Sequence, residues 1–160
     1  MEVSIFLKLD GIEGESTDGA HTNEIKLGSC SFTAFNSSTY NNASKTVSKG
    51  QATMGDISFS KEVDKTSVSL FKACASGKVI PKGVISFQSN VGDDKKIDFL
   101  KYELDNVVIN SYNFSASSMA DESGSMTYAK IKQTYDQRDE KGTSKGKVEG
   151  FFDVLLNQAG

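Results

Sequence analysis

The sequence has few of the residues that build metal sites and disulfide frameworks. Its 160 residues include one histidine and two cysteines, Cys30 and Cys74, which lie far apart. This scarcity excludes the usual Cys/His spacings of zinc sites and any dense set of disulfide bonds. We expect each cysteine to be a small, buried, apolar side chain, and we expect no metal or other cofactor.

The sequence also lacks an excess of basic residues and a long apolar run. Eighteen Lys and Arg residues are interspersed with 21 Asp and Glu, giving a net charge of -3, whereas a nucleic-acid partner would usually require a basic face. The first residues, MEVSIFLKLDG, carry no basic leader, and Lys8 interrupts their apolar run, so neither a secretory signal nor a membrane span is predicted. We therefore expect a soluble cytoplasmic protein with no nucleic-acid partner and no membrane insertion.

Alternating apolar and polar residues, the pattern typical of strands, recur along most of the chain. A chain of this length can bury one sizeable core, so we expect a single domain over residues 1–160. A polar hairpin is predicted at residues 91–96, a bend at 105–106, and exposed charged loops at 118–125 and 136–147. Strand segments are predicted near residues 3–9, 24–35, 51–60, 84–88, 97–104, 107–115, 126–135 and 150–156.

Several of these strands are apolar on both sides, notably residues 107–109 and 151–156. An antiparallel sheet with one solvated face should alternate cleanly, so the second face must be covered by a helix, by the curled sheet or by another subunit. The fold class is therefore predicted to be mainly β. We expect two packed sheets of antiparallel strands that form a closed or nearly closed barrel, with one flanking helix.

The flanking helix is predicted at about residues 65–76, within the stretch FSKEVDKTSVSLFKACASGK. Asp64 or Thr66 can cap its start, and Gly77 can end it in the left-handed conformation. Leu70, Phe71, Cys74 and Ala75 fall on one stripe, which we expect to pack on a sheet because so short a helix is marginal alone.

Two polar features stand out in the first third of the chain. In the strand over residues 24–35, Cys30 and Phe32 are expected to face the core, which leaves Ser29 and Ser31 on the opposite side. Residues 36–50, NSSTYNNASKTVSKG, form a long polar loop whose only sizeable apolar groups are Tyr40 and Val47. Long loops of this kind are usually either mobile or ordered by a partner.

Catalytic patterns are weak. Ser16, Asp18 and His21 could be combined into a hydrolytic triad, but all three lie in one loop without a nucleophile elbow. A surface histidine that hydrogen-bonds within its own loop is the simpler interpretation. The paired acids at 93–94 and 139–140 sit beside lysines in turns, where solvation is the simpler explanation. We predict no catalytic residue.

Three stretches carry a recognisable pattern: IFLKLDGIEGESTDGAH at residues 5–21, SFSKEVDKTSVSLFKACASGK at 58–78, and YELDNVVINSY followed by TYAKIKQTYDQRDEKGTSKG toward the end. Together they resemble the hemolysin-coregulated protein (Hcp) family, whose members form the tube of bacterial type VI secretion. The similarity runs in register over essentially the whole chain. It departs from the usual family pattern at Cys30 and Phe32, where tryptophans are common, at Val68, where a proline is frequent, and in the apolar ending FFDVLLNQAG.

The resemblance implies a non-enzymatic structural subunit that forms hexameric rings, which stack head-to-tail into a tube driven by a contractile sheath. Its partners would be further copies of itself, sheath and spike proteins, and effector proteins carried in the lumen. The protein would be secreted from the bacterial cytoplasm without a signal peptide. Ser29 and Ser31 are then candidates for lumen contacts. Candidates for ring-interface or stacking contacts lie in the long polar loop: Tyr40, Asn41, Asn42, Lys45, Val47 and Lys49.

Two other functional classes remain open from the sequence. One is a monomeric β-barrel that binds a small ligand or a protein partner in its interior. The other is a hydrolase that acts through His21.

Overall fold

The computed structural model describes residues 2–91 and 95–160 of the chain. Within these ranges the main sheet is antiparallel throughout, and one helix lies beside it. The strands are β1 Val3–Leu9, β2 Ile25–Leu27, β3 Ser29–Ser31, β4 Ala34–Asn36, β5 Thr39–Asn41, β6 Thr46–Ser48, β7 Ala52–Met54, β8 Ile57–Glu62, β9 Val79–Val91, β10 Lys95–Ala116, β11 Ala120–Thr127, β12 Lys130–Arg138, β13 Ser144–Asp153 and β14 Gln158–Ala159, and the helix is α1 Thr66–Ser76.

The 22-residue strand β10 is the centre of the main sheet. On one edge it pairs with β9, which in turn pairs with β1 and so with β2. On its other edge it pairs first with β12, from Leu100 to Asp105, and then with β11, from Val108 to Ala116. From β12 the sheet continues to β13 and β14, and from β11 it continues to β8 and β3.

A bend was predicted at residues 105–106, and it lies inside β10 rather than between two separate strands. Asn106 has a φ of 51°, in the left-handed region that asparagine tolerates better than most residues. At this point the partner of β10 changes from β12 to β11. The single strand replaces the two that the sequence predicted at 97–104 and 107–115.

The chain crosses between the two ends of the sheet at Gly28. On one side of this residue β2 pairs with β1, and on the other side β3 pairs with β8, while the Gly28 N–H donates to the Ser60 carbonyl at 2.7 Å. Over residues 2–91 and 95–160, the strand pairing does not close into a continuous barrel. The mainly β class with a flanking helix is thus confirmed, in a sheet whose ends meet at a crossing segment.

The hydrophobic core lies between the facing sides of the curved sheet. Strands β1, β2, β8, β9, β10, β11 and β12 all contribute to it, and α1 adds Leu70 and Ala73. The fully buried side chains of largest volume are Leu7, Ile25, Ile57, Leu70, Ile80, Ile85, Leu104, Ile109 and Met126.

The helix ends at Gly77 as the sequence predicts, whereas its N-cap position is Lys65 and the predicted cap Asp64 lies one residue earlier. The Asp64 carboxylate accepts the backbone N–H of Thr66 at 2.8 Å, and Gly77 ends α1 with a φ of 63°. The predicted apolar stripe is only partly correct, because Phe71 is 56% exposed and Ala75 is also exposed, while Ala73 is buried beside Leu70. The helix packs chiefly on β10.

Residues 34–54 form an exposed two-stranded ribbon, which we call the arm. Strand β4 pairs with β7 at its base, and β5 pairs with β6 toward its tip. The long polar loop predicted at 36–50 is therefore largely extended and hydrogen-bonded. Every residue of β4, β5 and β6 is exposed, so this order comes from backbone pairing rather than from burial.

Two segments predicted to be exposed loops are in fact partly strands. Residues 118–125 contribute most of β11, in which Glu122 is only 2% exposed. Residues 136–147 contain the end of β12 and the start of β13, and Asp136 is buried there. Val91 pairs with Lys95 at the predicted hairpin of 91–96, and residues 92–94, including Asp93 and Asp94, lie outside the described part of the chain.

Candidate functional site

The outward side of strands β3, β8, β11 and β10 carries a hydroxyl-rich face. It follows from strand register, because cross-strand partners point to the same side of an antiparallel sheet. Ser29 and Ser31, both exposed, form its edge on β3. Two rows of paired residues make up the face: Ser31, Ser58, Ser125 and Ser111 in one, and Ser29, Ser60, Ser123 and Asn113 in the other.

The side chains of this face hydrogen-bond to one another across the strands. The Ser29 and Ser60 hydroxyls lie 2.6 Å apart, and those of Ser111 and Ser125 lie 2.9 Å apart. The Ser125 hydroxyl also reaches Asn110 Oδ1 at 2.6 Å. The result is a shallow, uncharged surface of small hydrogen-bonding groups.

Ser29 and Ser31 point outward because the side-chain alternation shifts at Gly28. Ile25 and Leu27 are buried, and strict alternation would place Ser29 inward with them. Instead Ser29 is exposed, while Cys30 and Phe32 pack against the core as the sequence predicts. Burial raises the pKa of the Cys30 thiol to about 11, which makes this group an unreactive apolar side chain.

The arm exposes Phe35 at its base and an apolar pair toward its tip. Tyr40 and Val47 are direct cross-strand partners, with Tyr40 81% exposed. The turn between them is shaped by Asn41, whose Oδ1 accepts the N–H groups of Ala43 and Ser44. The structure places all six predicted loop residues on this exposed ribbon: Tyr40, Asn41, Asn42, Lys45, Val47 and Lys49.

Two sets of exposed apolar side chains lie on different elements. The first, which we call the helix surface, consists of Val68 and Phe71 on α1 and Phe114 near the end of β10, all more than half exposed. The second, the C-terminal surface, lies on β12, β13 and the turn that follows them, at the opposite end of the strand order from β8 and β3. Its members are Tyr135, Val148, Phe151, Val154, Leu155 and Leu156.

A buried charged network joins the start of α1 to the sheet. The side chain of Lys61 on β8 is fully buried and contacts Glu122 on β11, and its Nζ donates to Asp64 Oδ1 at 2.9 Å. Glu122 also accepts the hydroxyls of Ser67 at 2.9 Å and Tyr112 at 2.6 Å. Burial and the bond to Glu122 raise the pKa of Tyr112 to about 12. No sequence pattern indicated this network, since Glu122 stands in a stretch of mostly polar residues.

His21 is buried rather than on the surface, which corrects the expectation from sequence. It is 5% exposed, and its ring stacks on Phe6 with centroids 4.5 Å apart. Nδ1 lies 2.9 Å from Glu24 Oε2, and Nε2 lies 2.8 Å from Asp98 Oδ1. Both ring nitrogens are thus engaged by carboxylates, and neither is free to act as a base toward Ser16. The structure does not assemble the hydrolytic triad.

Comparison with known proteins decides the family. The sequence model described as "Type VI secretion system effector, Hcp" matches residues 6–135. The chain belongs to the Hcp family. Protein hcp1 of Pseudomonas aeruginosa is 26% identical over 149 residues, which cover 91% of each chain.

Solved structures of this family have the same fold. One, described as a type six secretion system protein, is 25% identical with a TM-score of 0.91, and the similarity covers 99% of this chain and 100% of that one. Hcp1 from Salmonella typhimurium is 28% identical with a TM-score of 0.81, and 99% of each chain is covered.

Neither a membrane-spanning helix nor a metal cluster is found among residues 2–91 and 95–160. No helix there is long and apolar enough to cross a bilayer. No group of three or more His, Cys, Asp or Glu side chains in the same ranges is arranged to hold a metal ion.

Proposed function

We propose that this protein is the structural subunit of a type VI secretion tube. Copies of the chain form hexameric rings, and the rings stack head-to-tail inside a contractile sheath behind a spike. The subunit is made in the bacterial cytoplasm and leaves the cell as part of the tube. It catalyses no reaction. Family membership supports a role in type VI secretion, and the exposed surfaces of this chain support assembly into rings.

The observation that carries the proposal is the pair of separate apolar surfaces. A closed ring requires a heterologous interface, in which one surface of a subunit contacts a different surface of its neighbour. The helix surface, with Phe71 at 56% exposure, and the C-terminal surface, with Leu155 at 78%, lie on different elements. Exposed apolar surfaces of this kind mark protein interaction sites.

The hydroxyl-rich face is proposed as the lumen wall that contacts effector proteins. Ser29 and Ser31 form its edge, and the small neutral groups around them can hydrogen-bond to many different protein surfaces without a charge of their own. The exposed arm is proposed to contact a neighbouring subunit or ring through Tyr40 and Val47. Its remaining polar residues, Asn41, Asn42, Lys45 and Lys49, would surround this contact.

Light scattering coupled to size exclusion tests the ring. The purified protein is expected at six times the 17.3 kDa subunit mass, and negative-stain images should show rings. A protein that stays monomeric at every concentration would contradict the proposal and favour the monomeric binding protein instead.

Two substitutions test the heterologous interface. Phe71→Asp disables the helix surface and Leu155→Asp disables the C-terminal surface, so each variant alone should be monomeric. Mixed in equal amounts, they should form a dimer of twice 17.3 kDa and no ring, because one complementary pair of surfaces remains. Lys72→Asp, at an exposed polar position on the same helix, is the control and should still form rings. Dimers formed by either variant alone would indicate a symmetric interface and refute the heterologous one.

A further inference from the structure

His21 connects a surface segment to the sheet beneath it. The segment, residues 11–23, bonds mainly to itself and to Glu24, as in the Gly14 N–H to Asn23 carbonyl bond at 2.7 Å. Side chains make its polar contacts with β10, and the most buried of these is His21 bonded to Asp98. A second contact joins Asp18 to Lys96 at 3.1 Å.

The charges around His21 require a cation at its position. Its own stretch of chain contributes the carboxylates of Asp18 and Glu24, and β10 contributes Asp98 together with Lys96. Phe6 of β1, on which the ring stacks, is uncharged, and its cross-strand partner on β2 is Lys26. Gln88 of β9 and Lys96 of β10 both bond to Asp18, so a protonated His21 is the cation that the carboxylates of Glu24 and Asp98 contact.

A neutral imidazole can donate from only one of its two nitrogens. The other nitrogen would then present a lone pair to a carboxylate oxygen less than 3 Å away, because both contacts here are 2.9 Å or shorter. Loss of the proton therefore replaces one of the two hydrogen bonds of the buried His21 ring with repulsion.

We propose that His21 is a pH-sensitive contact that holds residues 11–23 against β1 and β10, and that loss of its proton releases this segment. Residues 15–19 of the segment form one wall of a polar cavity of about 940 Å³, whose opposite wall includes Ser60 to Asp64 of β8 and the turn after it. Release of the segment removes this wall of the cavity and exposes Phe6.

The direction of the effect follows from the pKa of His21. Burial alone would lower it, but the hydrogen bonds to Asp98 and Glu24 outweigh burial and raise the pKa above its ordinary value of about 6.5. The stabilisation is therefore fully present below about pH 6.5 and is lost as the pH rises through the folded-state pKa. The segment should be closed below about pH 6.5 and open at pH values above the folded-state pKa of His21.

The experiment uses the assembled protein and two readouts by mass spectrometry. Deuterium exchange at the His21 Cε1 position reports the pKa of this residue without ambiguity, because the chain has one histidine. Deuterium uptake by peptides covering residues 11–24 reports release of the segment. The uptake is expressed as protection factors, so that the pH dependence of intrinsic exchange cancels. Both transitions should share one midpoint above pH 6.5.

Variants separate the contact from general stability. His21→Gln should show at pH 6 the high uptake that the wild type shows in alkaline solution, with no pH step. Asp98→Asn keeps a hydrogen-bonding group but removes a charge, so it should move both midpoints to lower pH even if His21→Gln fails to fold. Asp56→Asn, which alters a carboxylate bonded to Asn110 instead, is the matched control and should change neither.

Three results would overturn the inference. The first is a His21 pKa at or below 6.5. The second is a segment that keeps its protection at pH values where His21 is already neutral. The third is an Asp98→Asn variant whose midpoints equal those of the wild type.

Discussion

Replacing Lys61 with methionine should strongly destabilise the fold. The Lys61 side chain is fully buried, and the carboxylate of its partner Glu122 is 1% exposed. Methionine fills a similar volume but leaves the Glu122 anion buried without a countercharge. Removing one partner of a buried ion pair costs about 3–5 kcal/mol in free energy of unfolding. The hydroxyls of Ser67 and Tyr112 still donate to Glu122, so we expect the lower half of this range.

Thermal and urea denaturation at one fixed protein concentration measure this effect, since assembly makes stability concentration-dependent. For a chain of this size, 3–5 kcal/mol corresponds to a decrease in Tm of about 6–20 °C. The double variant Lys61→Met with Glu122→Leu removes both charges, so it should recover much of the loss.

A change of less than about 1 kcal/mol in Lys61→Met would refute the reasoning from buried charge. A double variant as unstable as the sum of the two single variants would show that the two residues do not interact. Either outcome would mean that the network does not fasten α1 to the sheet.

The remaining predictions concern backbone space and single hydrogen bonds. Gly124→Ala should destabilise the protein by more than about 1 kcal/mol, since its Cβ would lie 2.6 Å from the Ser111 carbonyl oxygen; an unchanged urea midpoint would contradict this. The added Cβ of Gly77→Ala meets no atom within 4 Å, but the alanine must adopt a φ of 63°. We therefore expect the free energy of unfolding to fall by about 1 kcal/mol, and by less for Gly77→Asn. Equal losses in the two variants would argue against conformational strain. Tyr128→Phe removes the hydroxyl that donates to the Gly55 carbonyl at 2.9 Å. It should lower the free energy of unfolding by about 1 kcal/mol. A variant more stable than the wild type would show that this hydrogen bond contributes nothing to stability.

The sequence predicts the local features of this protein well. Gly77 and Asp64 mark the ends of the helix, because capping depends on residues next to one another. The apolar character of Cys30 and Phe32 likewise predicts that they face the core, which leaves Ser29 and Ser31 on the other side of β3. The family resemblance from the sequence is confirmed by comparison with known proteins.

Features that depend on distant residues were not predictable from pattern. The sequence around Glu122 predicts a polar loop, and only the partners of Glu122 on β8 and α1 explain its burial. His21 reads as a surface residue because Asp98, its second partner, is 77 positions away. The shift of alternation at Gly28 depends on which neighbour each half of the segment pairs with, β1 or β8.

Strand β10 bonds to β9 along one edge and to both β12 and β11 along the other, so the two ends of the sheet share one backbone. Loss of either end would leave an edge of β10 without its hydrogen-bonding partners, and this coupling favours a single all-or-none melting event. The amides around Val107, fully buried in the middle of this strand, should accordingly be the last to exchange with solvent. A pull applied to either end of the sheet would also be carried through this same strand.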